Sequence, residues 1–166
     1  LDQLKLAFDP NGTVTAATSS PLTDGAAATI ICEENYAKDN NLDILGRIIS
    51  TAVEGCNPDY MGLGPIGATK KALSRANLSI DKIDIFELNE AFASQSLACI
   101  KDLEIDQSKI NIDGGALALG HPLGATGARI TGKAADLLKR ENKKYALSTQ
   151  CIGLGMGIAT VIENID

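Results

Sequence analysis

The chain contains one histidine, His121, which lies in a glycine-rich segment that runs from Gly114 to Arg129. Farther along, Cys151 opens a second glycine-rich segment, Cys-Ile-Gly-Leu-Gly-Met-Gly. An imidazole and a thiol both exchange protons near neutral pH, and glycine lets backbone and ligand approach closely. We therefore interpret the two segments as parts of one acid–base site. The alternative is a histidine in a helix-entry turn and a buried structural cysteine.

The backbone around each group predicts what it does. Pro122 restricts His121 to an extended conformation, and a helix is predicted to begin shortly afterwards. A helix N-terminus disfavours a nearby positive charge, so we expect a neutral imidazole that accepts a proton from a thiol or donates to an oxyanion. The backbone N–H groups of Gly153 and Gly155, which follow Cys151, are candidate oxyanion donors. The alternative for these glycines is a tight hairpin that requires positive φ.

Asn89 opens a third segment, Asn-Glu-Ala-Phe-Ala, at a predicted strand-to-helix junction. Its side chain is expected to cap the helix, to hold a water or a substrate oxygen, or to do both, because the two ends of the amide form separate bonds. A fourth segment, residues 62–67, has the glycine spacing of a dinucleotide fingerprint, with Glu87 at the expected distance. That fingerprint requires a strand directly before its first glycine. Pro58 interrupts any such strand, which argues against nucleotide binding.

The composition is that of an ordinary globular chain of 166 residues, with 45% hydrophobic and 22% charged residues. The net charge is −6 and the basic residues form no stripe, which argues against nucleic acid as a partner. No apolar run is long enough for a membrane span, and residues 1–5 lack the features of a signal peptide. The chain does not begin with Met, which we interpret as the mark of a piece or a processed product of a longer protein.

The four cysteines match no zinc-binding pattern. They are Cys32, Cys56, Cys99 and Cys151. Because one histidine alone is available to join them, we predict no metal site. Most of these cysteines have apolar neighbours in the sequence, which indicates reduced thiols and a cytoplasmic location.

Hydrophobic periodicity and turn residues predict alternating strands and helices. Residues 26–32 form an apolar run that fits a buried strand and a buried helix segment equally well. Strands are predicted at 47–53, 83–88, 145–151 and 157–165, and helices at 33–40, 65–76, 90–101 and 128–140. The short connection between the last two strands fits an antiparallel hairpin. The order predicts an α/β layered fold with a mixed sheet and flanking helices.

Several blocks together resemble the signatures of the thiolase family. They are residues 13–16, 22–27, 61–65, 89–93, 114–129 and 151–159. The blocks follow the order of the family and cover nearly the whole chain. Residues 99–103 and 151–155 are most similar to bacterial 3-ketoacyl-CoA thiolases, and acetoacetyl-CoA thiolases are close relatives. The resemblance implies a thiolase-like fold, in which residues 1–41 are the tail of the N-terminal core and residues 42–166 are the C-terminal domain.

The resemblance also implies a role for each site residue. His121 would help to activate the nucleophilic cysteine and form an oxyanion hole with a water held by Asn89. Cys151 would move a proton to or from the thiol of coenzyme A or the α-carbon, and the backbone N–H of Gly153 would contribute to a second oxyanion hole. Contacts with the pantetheine arm or the substrate pocket are implied for Ser20, Met61, Ala91 and Phe92. Coenzyme A is a substrate in this scheme, and no cofactor is implied.

Two features of the family have no counterpart here. The segments around Cys32, Cys56 and Cys99 do not match the motif of the acyl-carrying cysteine, and the loop domain that carries most contacts to coenzyme A is also missing. The resemblance therefore implies an N-terminal thiolase half that supplies the nucleophile. We predict that the chain alone is inactive and that its partners are acyl-CoA, coenzyme A and that half. We further predict a homo-oligomer that acts in fatty-acid β-oxidation. The alternatives are an acetoacetyl-CoA thiolase and a non-catalytic truncated domain.

Overall fold

The computed structural model describes residues 3–165. Leu1 and Asp2, at the start of the predicted N-terminal region, and Asp166, at the end of the predicted C-terminal domain, lie outside the described residues. The strands are β1 (Arg47–Gly55), β2 (Ile85–Leu88), β3 (Tyr145–Ile152) and β4 (Met156–Glu163). The helices are α1 (Glu34–Asp39), α2 (Gly64–Ala76), α3 (Ala93–Leu103), α4 (Ala116–Leu119) and α5 (Thr126–Arg140). Within residues 3–165, none of them combines the length and the apolarity that a membrane crossing requires.

The four strands form one mixed sheet in the order β1–β4–β3–β2. β2 pairs parallel with β3, whereas β4 pairs antiparallel with both β3 and β1. The predicted mixed sheet and the predicted hairpin of β3 and β4 are therefore confirmed. In the hairpin loop, Leu154 and Gly155 adopt positive φ of 70° and 88°. The turn thus explains the glycine at position 155, but Gly153 is not at positive φ and is not required by the turn.

Helices cover both faces of this sheet. Ile85 and Phe86 are neighbours in β2, yet they pack into different cores, because successive side chains of a strand point to opposite faces. The core on the α2 side also contains Ala68, Ala72, Leu73, Leu147 and Val161. The core on the α5 side also contains Ala134, Leu137, Leu138, Ala146 and Ile162. The sheet is thus the middle layer, and the carboxyl ends of the parallel strands β2 and β3 meet at one edge.

The prediction for residues 26–32 is wrong, because the segment forms neither a strand nor a helix and is exposed. The side chains of Ile30 and Ile31 are 91% and 72% exposed. An apolar run is buried only where another layer packs on it, and this segment pairs with none of the four strands. Cys32 is exposed with it, whereas Cys99 is fully buried.

The prediction that Asn89 caps a helix is also wrong. Helix α3 begins at Ala93, its N-cap position is Phe92, and no side chain forms a cap bond there. The residues between β2 and α3 turn at Ala91 instead, whose N–H donates to the carbonyl oxygen of Asn89, and Phe92 forms an isolated antiparallel bridge with Ser19. Asn89 therefore ends the strand pairing and does not start the helix.

The fingerprint-like segment at residues 62–67 serves helix–sheet packing. A 3-10 segment, Pro58–Leu63, separates β1 from α2, so no strand leads directly into the first glycine. A Cβ atom at Gly64 would lie 2.2 Å from the carbonyl oxygen of Met156. Glycine at this position lets the first turn of α2 touch the backbone of β4.

Candidate active site

His121 lies in the loop between α4 and α5, and three contacts fix it. Its Nδ1 is 2.7 Å from Oγ1 of Thr126, the first residue of α5. Its Nε2 is 3.4 Å from Nδ2 of Asn89. Its backbone N–H donates to Oγ1 of Thr23 at 3.2 Å. Both ring nitrogens therefore have partners, and the orientation of the ring is determined.

The contacts of Thr126 indicate which nitrogen of the imidazole carries the proton. Its hydroxyl donates to the carbonyl oxygen of Pro122 at 3.0 Å. With its proton directed there, Oγ1 accepts from the Nδ1–H of His121. Nε2 then carries the lone pair, which agrees with the donor Nδ2 of Asn89 opposite it. We infer the Nδ1–H tautomer, in which Nε2 is the atom that accepts a proton.

The surroundings of His121 keep its ring neutral at pH 7. Burial lowers its pKa below the usual 6.5, and the positive charge of Arg129 lowers the pKa further. The predicted neutral imidazole agrees with this direction. The predicted cause does not, because desolvation comes first and the second contribution is a side-chain charge on α5 rather than the N-terminus of that helix.

Asn89 is an almost fully buried polar residue of the site, with 1% of its surface exposed. Its backbone N–H donates to the carbonyl oxygen of Thr149 at 3.0 Å, which extends the pairing of β2 with β3 by one residue. Its Oδ1 is buried and has no hydrogen-bond partner among residues 3–165. A buried acceptor without a donor costs about 1–3 kcal/mol. This oxygen is therefore a candidate for binding a ligand group next to the imidazole.

Two side chains without a predicted role hold Asn89 in place. The amide of Asn111 accepts from the N–H of Leu88 at 2.9 Å and donates to the carbonyl oxygen of the same residue at 2.8 Å. The same amide donates to the Glu90 carboxylate at 2.7 Å, and that carboxylate accepts from the N–H of Leu117 at 3.1 Å. Asn89 is thus held through both of its neighbours. The one sequence signal for Asn111 is its residue type, because Asn tolerates its positive φ of 46° better than most residues.

Cys151 lies near the end of β3, opposite Gly157 of β4. Its position is two residues beyond Thr149, whose carbonyl oxygen receives the Asn89 N–H, so both groups belong to the same edge of the sheet. Burial raises the pKa of the Cys151 thiol, which therefore carries its proton at pH 7. Gly153 is exposed in the hairpin loop, and apart from this residue and its two chain neighbours no atom of residues 3–165 lies within 4 Å of the position that its Cβ would take.

The remaining predicted contact residues lie in two parts of the structure. The N–H and the hydroxyl of Ser20 both donate to the carbonyl oxygen of Ala91, at 3.0 and 3.1 Å. Phe92 packs edge-on against Phe8, with the ring centroids 6.0 Å apart. Met61 lies in the 3-10 segment before α2, where its carbonyl oxygen is 3.9 Å from Sγ of Cys56. Ser20 is thus bound to the segment that begins at Asn89, and Met61 lies beside Cys56, the residue that directly follows β1.

Comparison with known proteins identifies the family. The family model for the thiolase C-terminal domain matches residues 42–164, and the model for the thiolase N-terminal domain matches residues 1–35. The chain belongs to the thiolase family. The resemblance seen in its motifs is confirmed.

Relatives and solved structures agree with this thiolase assignment. The 3-ketoacyl-CoA thiolases of Vibrio parahaemolyticus and Aliivibrio salmonicida are 55% and 57% identical over 98% of the chain. The chain spans 43% of the length of each relative. The crystal structure of human mitochondrial 3-ketoacyl-CoA thiolase in complex with CoA superposes with a TM-score of 0.95 and 47% identity. The match covers 98% of this chain and 41% of the human chain. The Bacillus anthracis acetyl-CoA acetyltransferase has the same coverage and TM-score, with 42% identity.

Thr126→Val is expected to change the neutral tautomer of His121, because it removes the acceptor of the Nδ1 proton and keeps the shape of the side chain. Two-bond proton–nitrogen NMR spectra at pH 8 should show a protonated Nδ1 in the unmodified chain and a larger Nε2–H population in the variant. The single imidazole needs no assignment. Thr131→Val is the matched control, because its hydroxyl lies on the same helix but contacts Ser148 at 3.0 Å. An unchanged pair of nitrogen signals in Thr126→Val would contradict the inferred tautomer.

Proposed function

We propose that this chain is the C-terminal part of a 3-ketoacyl-CoA thiolase, an acyltransferase, and that it supplies the acid–base and oxyanion groups of the site. The observation that carries the proposal is the buried amide of Asn89, 3.4 Å from the neutral imidazole of His121. The protonated thiol of Cys151 at the same sheet edge and the named relatives support it. The complete reaction is the cleavage of a 3-ketoacyl-CoA by coenzyme A into a shortened acyl-CoA and acetyl-CoA.

In the first step, Nε2 of His121 takes the proton of the nucleophilic cysteine, which the N-terminal half supplies. The resulting thiolate attacks the 3-keto carbon, and the bond between carbons 2 and 3 breaks. The electron pair of that bond stays on carbon 2 of the departing acetyl-CoA, which takes the proton of Cys151. A raised thiol pKa suits this step, because the acid must hold its proton until the carbon bond breaks. The acyl group remains on the nucleophile.

In the second step, the Cys151 thiolate takes the proton of the coenzyme A thiol. The sulfur of coenzyme A attacks the acyl thioester, and the nucleophilic cysteine leaves and regains its proton from His121. Once protonated, Nε2 is a donor, so it forms an oxyanion hole together with a water held by Asn89. The backbone N–H of Gly153 contributes to a second oxyanion hole. Ser20 contacts the pantetheine arm, and Met61, Ala91 and Phe92 line the substrate pocket.

We retain three further predictions as parts of this proposal. The first is the division into residues 1–41 and 42–166, which the matched ranges 1–35 and 42–164 support. The second is an oligomer of the complete protein, which exposed side chains such as Leu22 (98%) and Leu123 (75%) support. The third is a role in cytoplasmic fatty-acid β-oxidation. Four free cysteines support a reducing compartment.

The test is a chimera in which this chain replaces the matching C-terminal 43% of the Vibrio parahaemolyticus enzyme. The chimera is expected to cleave a 3-ketoacyl-CoA in a coenzyme-A-dependent reaction, while the isolated chain shows none. The parent enzyme is the positive control, and His121→Ala in the chimera is the negative control. A folded chimera without cleavage, or turnover by the isolated chain, would contradict the proposal.

The second candidate is an acetoacetyl-CoA thiolase, because the Bacillus anthracis acetyl-CoA acetyltransferase superposes equally well. A second chimera, built on the N-terminal part of that enzyme, separates the two candidates. We expect the chimera with the Vibrio N-terminal part to reach the larger fraction of its parent's kcat/KM. The reverse order would favour the second candidate.

A further inference from the structure

Glu87 is a buried carboxylate that the proposed reaction does not use. It is 3% exposed, and its Oε1 has no hydrogen-bond partner among residues 3–165. Because strand side chains alternate, Glu87 points to the same face of β2 as Ile85, which packs with residues of α5. A carboxylate at this depth requires a cation or a donor.

Arg129, on the helix α5 that covers this face, is a cation with a buried donor that lacks an acceptor within residues 3–165. Its Nε is buried and has no hydrogen-bond partner in the described part of the chain. Its Nη2 donates to the carbonyl oxygen of Gly120 at 3.4 Å. Gly120 directly precedes His121, so the guanidinium contacts the backbone that carries the imidazole.

The other charged groups near Glu87 have partners of their own, which leaves Arg129 as the nearby cation without an ion pair among residues 3–165. They are Lys133, Asp113 and Glu90. Lys133 already pairs with Asp113 at 2.5 Å, and Glu90 accepts from Asn111 and Leu117. Burial raises the pKa of Glu87 to about 7, and the charge of Arg129 acts against that rise. The same guanidinium also lowers the pKa of His121.

We propose that Glu87 and Arg129, which form no direct hydrogen bond or ion pair with each other in the described part of the chain, act as a charge pair across the interface of β2 and α5, and that this pair positions His121 through the Gly120 carbonyl. Both are positioning residues, because neither touches the reacting atoms. The importance of the pair for the reaction rests on the proposed function of His121. The pair itself is a property of this chain and needs no substrate.

The test follows the single imidazole of the chain by NMR during a pH titration. We expect two steps in its ring signals. The larger step, below pH 6.5, is the protonation of His121, and a smaller step near pH 7 reports the change of charge at Glu87. Glu87→Gln should remove the smaller step and leave the larger one in place. Asp102→Asn is the control, because it removes an exposed carboxylate on α3 and should change neither step.

Arg129→Met is expected to raise the pKa of His121 by about 0.5 pH unit, the effect of one charge through partly hydrated surroundings. It should also remove the smaller step, because the link from Glu87 to the loop is lost. Adding Glu87→Gln to Arg129→Met should then have no further effect on His121.

Three outcomes would overturn the proposal. They are a smaller step that survives Glu87→Gln, one that survives Arg129→Met, and a titration with no second step in the unmodified chain. If Arg129→Met does not fold, Arg129→Lys replaces it, with a weaker smaller step expected because the contact with Gly120 is lost. An inactive chimera would contradict the proposed function and leave this titration unaffected, so the two failures are distinguishable.

Discussion

Cys151→Ala in the chimera is expected to lower kcat by about 10²- to 10⁴-fold, the usual contribution of a positioned acid–base group. The thiol holds its proton at neutral pH because burial raises its pKa, and alanine removes that proton without adding bulk. The KM for the 3-ketoacyl-CoA should change little, since the thiol contributes a proton rather than a large contact area. Steady-state kinetics of both variants measure this split between kcat and KM.

Cys99→Ala is the matched control for this experiment. It makes the same chemical change at a free thiol of the same domain. Burial raises the pKa of Cys99 to about 11, so this thiol also holds its proton, but it is fully buried and cannot reach a substrate, whereas Cys151 is partly exposed. We expect Cys99→Ala to keep most of the kcat of the chimera. Near-normal kcat in Cys151→Ala would assign the proton transfer to another group.

The elements with strong local signals could be predicted from the sequence. The hairpin of β3 and β4 follows from two β-rich runs and a short glycine-containing connection, all of which are adjacent in the chain. Helix α5 begins two residues before its predicted start and ends at the predicted residue, Arg140. The prediction for residues 26–32 failed because an apolar run is buried only where another layer of the fold packs on it, and the sequence of the run alone does not reveal such a layer.

The candidate site divides in a similar way. Glycine context was sufficient to single out His121, and the position at a predicted strand-to-helix junction singled out Asn89; the structure places their side chains 3.4 Å apart. The residues that support them were missed because their contacts are distant in the sequence. Asn111 lies 23 residues from Leu88, which it holds, and nothing in the spacing connects the two. The depth of Glu87 was also hidden, because a carboxylate in a strand usually faces water.

Gly157→Ala is expected to destabilise the chain by about 3 kcal/mol, the upper part of the usual range for overpacking. Its Cβ would lie 2.1 Å from the carbonyl carbon of Gly64 and 2.7 Å from the backbone nitrogen of Pro65. Backbone atoms in the first turn of a helix cannot move aside as a flexible side chain does. Urea denaturation should show a lower midpoint with an unchanged m-value, which is the sign of a change in stability alone.

Gly124→Ala separates this effect from the general consequence of adding a methyl group. Beyond its two chain neighbours, no atom in the described part of the chain lies within 4 Å of its Cβ position, and Gly124 is not at positive φ. The stability of Gly124→Ala should therefore change by less than about 0.5 kcal/mol. Because Gly157 is the partner of Cys151 in the ladder, the same overpacking displaces either α2 or β4, the strand that pairs with the thiol-bearing strand β3. If Gly157→Ala were as stable as Gly124→Ala, the contact between α2 and β4 would not fix the position of Cys151. The acid–base group would then depend on the hairpin alone.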